Sequence, residues 1–233
     1  MPVLEIAASI ILAYLIGSIP FGWIIVKVAT GRDIRGIESG RTGGTNAMRA
    51  AGLLAGALTA LLDVGKGVLA VSITRSLIPA SFAYREWILV LSSLLVIIGH
   101  NYSIYLLERH EATGRLRLRG GAGGAACFGG AMGLWPPVGL IVFPLALLIY
   151  YFVGYASITT MSIALLTSLV FAYQAIRGVL PWQYILYGVF AELLMIWALR
   201  PNLERLRQGK ERMHGFRVWL KKRAEKEKTA SKA

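Results

Sequence analysis

The residues best suited to chemistry in this sequence lie between Ser39 and Arg49, where glycines, hydroxyl side chains and one amide stand among arginines. Glycines let backbone N–H groups curl around an anion, and the N-terminus of a following helix adds the positive end of its dipole. Thr45 or Asn46 is suited to cap that helix, with Arg49 one turn further on. The segment therefore favours phosphate binding. A flexible basic loop between two helices is the alternative.

A second glycine-rich segment runs from Arg119 to Gly124 and also precedes an apolar stretch. It reads Arg-Gly-Gly-Ala-Gly-Gly, so it is again basic and glycine-rich at a predicted helix start. Two such loops on one face of a protein indicate two anionic groups, or one large one. Close packing of small residues between membrane helices is the alternative, and it explains 123–130 better than it explains Arg119.

Two acidic residues lie within apolar stretches. Asp63 is followed three residues later by Lys66, a spacing that places both side chains on one face of a helix. Ionisable groups at membrane depth commonly face a polar cavity and serve a function, but a structural ion pair between helices explains the spacing equally well. Glu192 has no local partner, and we expect it to pair with Lys66 or with a loop arginine.

The histidines and the cysteine do not form a recognisable catalytic or metal-binding set. His100 ends an apolar stretch, where a lone histidine is more often a hydrogen-bonded structural residue than a base. His110 and His214 lie in a loop and in the C-terminal tail, without the ligand spacing of a metal site. Cys127 has no second cysteine with which to form a disulfide. We therefore expect no metal, no cofactor and no triad-type base.

The composition is that of a membrane protein. Hydrophobic residues make up 56% of the 233 residues, charged residues make up 16%, and the mean hydropathy is +0.59. Such a chain keeps apolar surface in lipid rather than burying it in one soluble core. Several stretches approach or reach the roughly 20 apolar residues that a helix needs to cross a bilayer. They are 3–28, 53–78, 87–107, 138–153, 157–176 and 182–199.

The charge of the loops decides how often the chain crosses the membrane. Basic residues are frequent in 27–49 and 109–119, and the positive-inside rule places both segments in the cytoplasm. Six spans would then leave the basic C-terminal tail outside, whereas a seventh span at 125–135 would bring it inside. We therefore predict an all-α, polytopic membrane protein of about seven transmembrane helices, with its N-terminus outside and its C-terminus in the cytoplasm.

Residues 201–233 are predicted to form a separate basic segment behind a membrane domain of residues 1–200. From Arg200 onward the sequence has twelve Lys or Arg and four Asp or Glu, so this part supplies +8 of the formal charge of +13. We expect an amphipathic helix over 203–228 that lies on anionic lipid headgroups. Nucleic acid is a poor candidate partner, because no recognition motif accompanies the charge.

Together these motifs resemble the bacterial acyl-phosphate:glycerol-3-phosphate acyltransferase family, small seven-span enzymes that begin phospholipid synthesis. The resemblance extends to about Glu211, and the first glycine-rich loop is its most specific part. The matching segments are Gly17-Ser18-Ile19-Pro20-Phe21-Gly22, Asp33-Ile34-Arg35, Ser39 to Arg49, Asp63 to Gly67, Gly99-His100, Tyr155-Ala156-Ser157 and Asn202 to Leu206.

The resemblance implies acyl transfer from an acyl phosphate to a hydroxyl of glycerol 3-phosphate, giving lysophosphatidate. It also implies a monomeric enzyme of the inner (plasma) membrane, without a cofactor and with its active face in the cytoplasm. Implied catalytic residues are Ser39, Thr45 and Asn46. Implied substrate-binding residues are Gly40, Arg49, Asp63, His100, Arg119, Gly120, Gly121, Gly123, Ser157 and Asn202.

The sequence departs from the family pattern within the implied site. Arg41 stands where the family has asparagine, Ala122 where it has the second lysine of its second loop, and Leu199 where it has histidine. Residues 107–118 are an insertion. Candidates to replace the missing lysine charge are Arg41, Arg115 and Arg117. Two other functions stay open: a relative that binds lipid precursors without acylating them, and an anion transporter, although no internal repeat typical of transporters is visible.

Overall fold

The computed structural model describes residues 3–109, 114–219 and 223, and most of these residues are helical. Long apolar runs favour helices because a helix satisfies its backbone N–H and C=O groups internally, as lipid requires. The described helices are α1 (Val3–Ser18), α2 (Phe21–Thr30), α3 (Gly44–Ala51), α4 (Leu53–Leu77), α5 (Arg85–Asn101), α6 (Gly124–Leu134), α7 (Val138–Leu148), α8 (Ala156–Ile176) and α9 (Gln183–Arg207). A 3₁₀ turn at Ile34–Gly36 precedes α3, and a π-helical turn at Ile149–Val153 extends α7.

One segment is not helical, so the prediction of an all-α chain is wrong there. Strands β1 (Ser103–Arg109) and β2 (Leu116–Arg119) form an antiparallel pair after α5 and contain much of the inserted region. Glu108 lies opposite Arg117 in this pair, and opposite charges on facing strands stabilise a hairpin. Glu108 also contacts Arg35 at 3.2 Å, so the hairpin is attached by charge to the loop that precedes α3.

Four helical stretches of the described chain are long and apolar enough to cross a membrane. They are Val3–Thr30, which contains the break between α1 and α2, Leu53–Leu77, Ala156–Ile176 and Gln183–Arg207. Shorter apolar helices lie between them, so the chain is a multi-pass membrane protein. Helix α6 has 11 residues and extends for about 16 Å, roughly half the thickness of a hydrocarbon core. This short length explains why 125–135 is ambiguous in the sequence.

Arg75 fixes the position of α6 along the bundle. Its guanidinium donates to the carbonyl oxygens of Gly133 and Leu134 at 2.9 and 3.1 Å. The last turn of α6 therefore lies beside the last turn of α4, and the first turn of α6 lies near the middle of α4. The glycine-rich loop before α6 consequently reaches into the bundle.

Glycines allow α4 and α6 to approach each other closely. A Cβ atom on Gly67 would lie 2.6 Å from the backbone nitrogen of Gly130, and one on Gly129 would overlap with the carbonyl of Val64. Larger side chains at these positions would force the helices apart. Within lipid, removal of apolar side chains from water does not drive helices together. Close packing of this kind therefore provides much of the free energy of helix association.

Helix α9 continues through Pro201 to Arg207, so the predicted start of a separate tail helix at 203 is wrong. A proline inside a helix removes the hydrogen bond to the carbonyl four residues earlier, which here is that of Trp197. The Nε of Arg200 donates to this carbonyl at 3.1 Å and so replaces the missing donor. A turn and a short helical segment at 215–219 follow. Residues 220–222 and 224–228 of the predicted tail helix lie outside the described residues.

The packing of α4 against α6 predicts different outcomes for two glycines of one helix. Gly67→Ala places a methyl group against the backbone of α6 and is expected to destabilise the protein by about 1–3 kcal/mol. A Cβ atom on Gly65 would have no neighbouring atom within 4 Å. Gly65→Ala is therefore expected to be neutral or mildly stabilising. Unfolding temperatures of the purified variants in detergent measure the difference. Equal temperatures would contradict the close contact.

Candidate active site

A cavity of about 210 Å³ lies where α3, α6 and α8 begin and α9 ends. Its wall also includes the loop before α3, the middle of α4 and the end of α5. The structure thereby brings together residues that are far apart in sequence. Those already identified from sequence are Ser39, Thr45, Asn46, Arg49, Asp63, His100, Gly123, Ser157 and Asn202.

Three helices begin at this cavity. Its wall contains Gly43 and Gly44 at the start of α3, Gly123 and Gly124 at the start of α6, and the first residues of α8. The first N–H groups of a helix have no intrahelical acceptor and carry the positive end of the helix dipole. The convergence of three such ends favours an anion before any side-chain charge is counted.

Gly43 is the N-cap residue of α3, so the predicted capping by Thr45 or Asn46 is wrong. The first residue of α3, Gly44, lies very close to α4, since a Cβ at this position would lie 2.8 Å from the carbonyl oxygen of Gly56. Thr45 and Asn46 therefore lie in the first turn of α3 and face the cavity rather than preceding the helix.

Asn46 organises the loop before α3. The two N–H groups of its Nδ2 are shared among the carbonyl oxygens of Ile34, Ile37 and Arg41, which lie 3.4, 3.0 and 2.8 Å from the nitrogen. The residue is buried, and its Oδ1 has no hydrogen-bond partner among the described residues. The amide nitrogen is thus fully used in holding the loop, and the oxygen alone is left for a ligand.

Arg41 joins this loop to α9. Its guanidinium donates to Oδ1 of Asn202 and to the carbonyl oxygen of Ala198. Asn202 in turn donates from Nδ2 to Oε1 of Glu211 at 2.8 Å. Burial lowers the pKa of the Arg41 guanidinium, although an arginine keeps its charge at neutral pH. Glu211 also lines the cavity, a role that no local spacing in the sequence indicates.

A buried ionic cluster forms another part of the wall. The Nζ of Lys66 lies 2.8 Å from Oδ1 of Asp63 and 2.9 Å from Nδ1 of His100, and it donates to the carbonyl oxygen of Ile19 at 2.9 Å. Asp63 and Lys66 therefore form an ion pair within α4, as their spacing predicts, rather than one between two helices. Asp63 and His100 also face the cavity. The predicted pairing of Glu192 with Lys66 is wrong, and one of its carboxylate oxygens is buried without a partner among the described residues.

The second glycine-rich loop divides between two places. Gly123 has a left-handed φ of 93° at the N-cap of α6 and lines the cavity. Gly120 and Gly121 instead pass directly against His100, where Cβ atoms would overlap with its carbonyl oxygen and its ring. A side chain at either of these two positions would therefore collide with His100.

Gly40, Arg119, Gly120 and Gly121 do not line the first cavity. They line a second cavity of about 680 Å³, which shares Ser39 and Arg41 with the first. Arg119 contacts Glu108 at 3.2 Å and donates to the carbonyl oxygen of Arg35 at 3.4 Å. Its charge is thus directed to the hairpin and the first loop.

The side chain of Arg49 extends from α3 to the C-terminal segment. Its Nη2 lies 3.0 Å from Nε2 of His214, and the His214 ring stacks on the ring of Tyr150 with centroids 5.4 Å apart. The sequence does not indicate this role of His214, since two residues so distant in the chain leave no local pattern.

These features define a multi-pass membrane protein with a cavity suited to an anion, in which two arginines and three helix N-termini surround the space. The family model of glycerol-3-phosphate acyltransferase matches residues 7–209. The chain therefore belongs to the glycerol-3-phosphate acyltransferase family.

Curated relatives support this membership. The chain is 35% identical over 210 residues to a glycerol-3-phosphate acyltransferase of Thermus thermophilus, covering 90% of this chain and 96% of the relative. It is 36% identical over 208 residues to one of Rubrobacter xylanophilus, covering 89% and 94%.

Two solved structures share the fold. A crystal structure of PlsY (YgiH), an integral membrane glycerol 3-phosphate acyltransferase in its glycerol 3-phosphate form, is 30% identical with a TM-score of 0.75, covering 92% of this chain and 98% of that one. The lysophosphatidic acid form of PlsY is 28% identical with a TM-score of 0.72, covering 90% and 95%.

The contacts of the Asn46 nitrogen with three carbonyl oxygens predict the effect of replacing this donor by an acceptor. Asn46→Asp turns an oxygen toward three carbonyl oxygens and is expected to cost more than Asn46→Ala, which loses about 1–3 kcal/mol by leaving carbonyls unsatisfied. Unfolding temperature and the rate of trypsin cleavage at the loop arginines measure both variants. A fully stable Asn46→Asp protein would contradict the hydrogen bonds described.

Proposed function

We propose that the protein transfers an acyl group from an acyl phosphate to a hydroxyl of glycerol 3-phosphate, releasing lysophosphatidate and inorganic phosphate. The observation that carries the proposal is the convergence of three helix N-termini with Arg41 and Arg49 around one cavity. Family membership and the two PlsY forms support the same substrate and product.

The chemistry needs charge neutralisation and orientation more than a protein base. The substrate hydroxyl attacks the acyl carbonyl, the carbonyl–oxygen bond to phosphate breaks, and the departing phosphate takes the hydroxyl proton. His100 is a poor base, because its Nδ1 already contacts Lys66 at 2.9 Å. Fixed N–H groups and guanidinium charges around the cavity stabilise the developing oxyanion.

The two phosphates are assigned to opposite walls. Arg49 and the start of α3, with Ser39, Thr45 and Asn46, would bind and orient glycerol 3-phosphate. The start of α6 at Gly123 and the buried Oγ of Ser157, which has no partner among the described residues, would face the acyl phosphate. Asn202 and the Asp63–His100 pair complete the wall between them.

Arg41 is the proposed replacement for the lysine charge that is absent at Ala122. Both Arg41 and Ala122 line the first cavity, whereas Arg117 lines the second. Arg41 is also anchored to Asn202 and to α9, so its charge is held in place. Leu199 also lines this cavity, but its apolar side chain has no polar group for the reaction, so the polar neighbours must provide these groups.

The activity is tested with purified protein, an acyl phosphate and radiolabelled glycerol 3-phosphate. Arg49→Ala and Arg41→Ala are each expected to lower kcat/KM by at least about 100-fold, the usual effect of removing one oxyanion or phosphate donor. Arg117→Ala, which removes the same charge outside the first cavity, serves as the matched control and is expected to retain activity.

The same assay separates the other functions. Binding of glycerol 3-phosphate without formation of lysophosphatidate would identify a relative that no longer acylates. Movement of labelled substrate across reconstituted vesicles without product would identify a transporter. Loss of activity in Arg117→Ala but not in Arg41→Ala would overturn the assignment of Arg41.

The proposed topology has seven spans in the plasma membrane, with the N-terminus outside and the cavity and C-terminus in the cytoplasm. The loop before α3, the start of α8 and the end of α9 meet at one cavity. They therefore lie on one side of the membrane. The chain crosses the membrane four times between the loop before α3 and the start of α8, and twice between the start of α8 and the end of α9. The positive charge of the first loop supports the cytoplasm as that side.

Single cysteines test this topology in a Cys127→Ala background. An impermeant maleimide is expected to label Ala80→Cys and Val179→Cys in intact cells, and Arg32→Cys and Gln208→Cys only after permeabilisation. All four positions are exposed, whereas Cys127 is buried. The reverse labelling pattern would show that the protein has the opposite orientation in the membrane. Labelling of Gln208→Cys in intact cells would contradict the seventh span.

An aromatic cluster supports contact between the tail and lipid. Phe216 stacks on Tyr151 and Trp219, with ring centroids 6.1 and 5.4 Å apart, and Trp219 is 52% exposed. Such exposed aromatic rings beside basic residues are typical of the membrane interface. Lipids brominated near the headgroup are expected to quench the fluorescence of Trp219. The contribution of this residue is the part of the protein's tryptophan fluorescence that Trp219→Phe removes. Absence of that quenching would contradict the placement.

We also expect a monomeric enzyme, since residues of a single chain surround the cavity. Light scattering of active protein in detergent measures its mass. A stable dimer that alone has activity would contradict this expectation.

A further inference from the structure

The C-terminal segment from Glu211 to Trp219, here called the strap, lies against the site but beyond the part of the chain that the family model matches, which ends at residue 209. The strap packs on α3, on the first loop and on the turn between α7 and α8. The match to the family model therefore does not bear on the role of the strap.

Contacts at both ends hold the strap in place. Arg212 pairs with Glu38 of the first loop at 2.9 Å. The backbone N–H of His214 donates to the carbonyl oxygen of Gly154 at 2.8 Å. The Arg217 guanidinium lies 5.4 Å from the centre of the Tyr155 ring. These contacts join the strap to two of the elements whose helix ends face the cavity.

The geometry of His214 determines its protonation state in this contact. A guanidinium only donates hydrogen bonds, so the Nε2 of His214, 3.0 Å from Nη2 of Arg49, accepts one and the ring is neutral with its proton on Nδ1. Burial and the neighbouring Arg49 and Arg212 hold the pKa of His214 below its ordinary value. Stacking on Tyr150 fixes the plane of the ring.

The remaining donors of Arg49 are left for a ligand. Its Nε is buried and has no hydrogen-bond partner among the described residues, while the residue itself lines the cavity. A buried, unused guanidinium donor beside three helix N-termini is suited to a phosphate oxygen. One edge of the guanidinium is thus held by the strap, and another faces the substrate space.

We propose that His214 is a positioning residue that holds the Arg49 guanidinium in the orientation needed to bind the phosphate of glycerol 3-phosphate. The inference rests on the proposed function and extends it to a residue outside the matched family domain. A long flexible side chain loses rotational freedom on binding. Holding it beforehand lowers that cost and improves affinity for the substrate.

The test compares acceptors and non-acceptors at position 214 in the full-length protein. His214→Leu is expected to raise the KM for glycerol 3-phosphate about tenfold, the effect of losing one charge-assisted hydrogen bond. The KM for acyl phosphate and kcat are expected to change little. His214→Gln supplies an acceptor oxygen and is expected to restore most of the affinity, while Lys210→Ala controls for removing a side chain from the same tail.

Equilibrium binding of radiolabelled glycerol 3-phosphate without acyl phosphate gives a readout that does not depend on turnover. Weaker binding by His214→Leu, with rescue by His214→Gln, supports the positioning role. An unchanged KM in His214→Leu, or an equal loss in His214→Gln accompanied by a lower unfolding temperature, would overturn it. Failure of the wild-type protein to form lysophosphatidate would instead reject the proposed function itself.

Discussion

The ammonium group of Lys66 is held inside the helix bundle, and the site is arranged around its partners. A charge removed from water is stable only when opposite charge and hydrogen bonds surround it. Asp63 comes from the same helix, His100 from α5, and the carbonyl of Ile19 from the break between α1 and α2. Removing one partner of such a buried pair typically costs about 3–5 kcal/mol. The cluster therefore fixes three elements relative to each other before any substrate binds.

The position of His100 then decides where the second glycine-rich loop runs. Gly120 and Gly121 allow the backbone to pass against this histidine, and α6 begins directly afterwards. Because Arg75 holds the other end of α6 beside the end of α4, this short helix starts within the bundle. Its N–H groups thus point into the cavity between the helices, and a helix dipole acts more strongly on an anion in such a partly enclosed place than at an exposed surface.

Most side chains around the cavity position other groups, and few remain free to contact a ligand. The Asn46 nitrogen holds the first loop, Arg41 joins that loop to α9 through Asn202, and Glu211 accepts from Asn202. The donors that remain available include backbone N–H groups at helix starts, the Oγ of Ser157 and part of Arg49, and the anchored Arg41 adds its charge. Such preorganised donors suit a reaction whose leaving group is already a good one, because little reorganisation is needed as charge develops.

The sequence by itself determined the membrane class, the first glycine-rich loop and the spacing of Asp63 and Lys66, because apolar runs, glycine clusters and helical spacing are local patterns. Together with the resemblance to a known family, it also indicated nine of the residues that line the cavity. The tertiary structure decided what those patterns do. It showed that Gly43 is the N-cap of α3, that inserted residues form a hairpin, and that Glu192 is not the partner of Lys66. It also brought His214 to Arg49. These outcomes depend on contacts between residues far apart in the chain, where packing of helix against helix sets the partners and no periodicity records them.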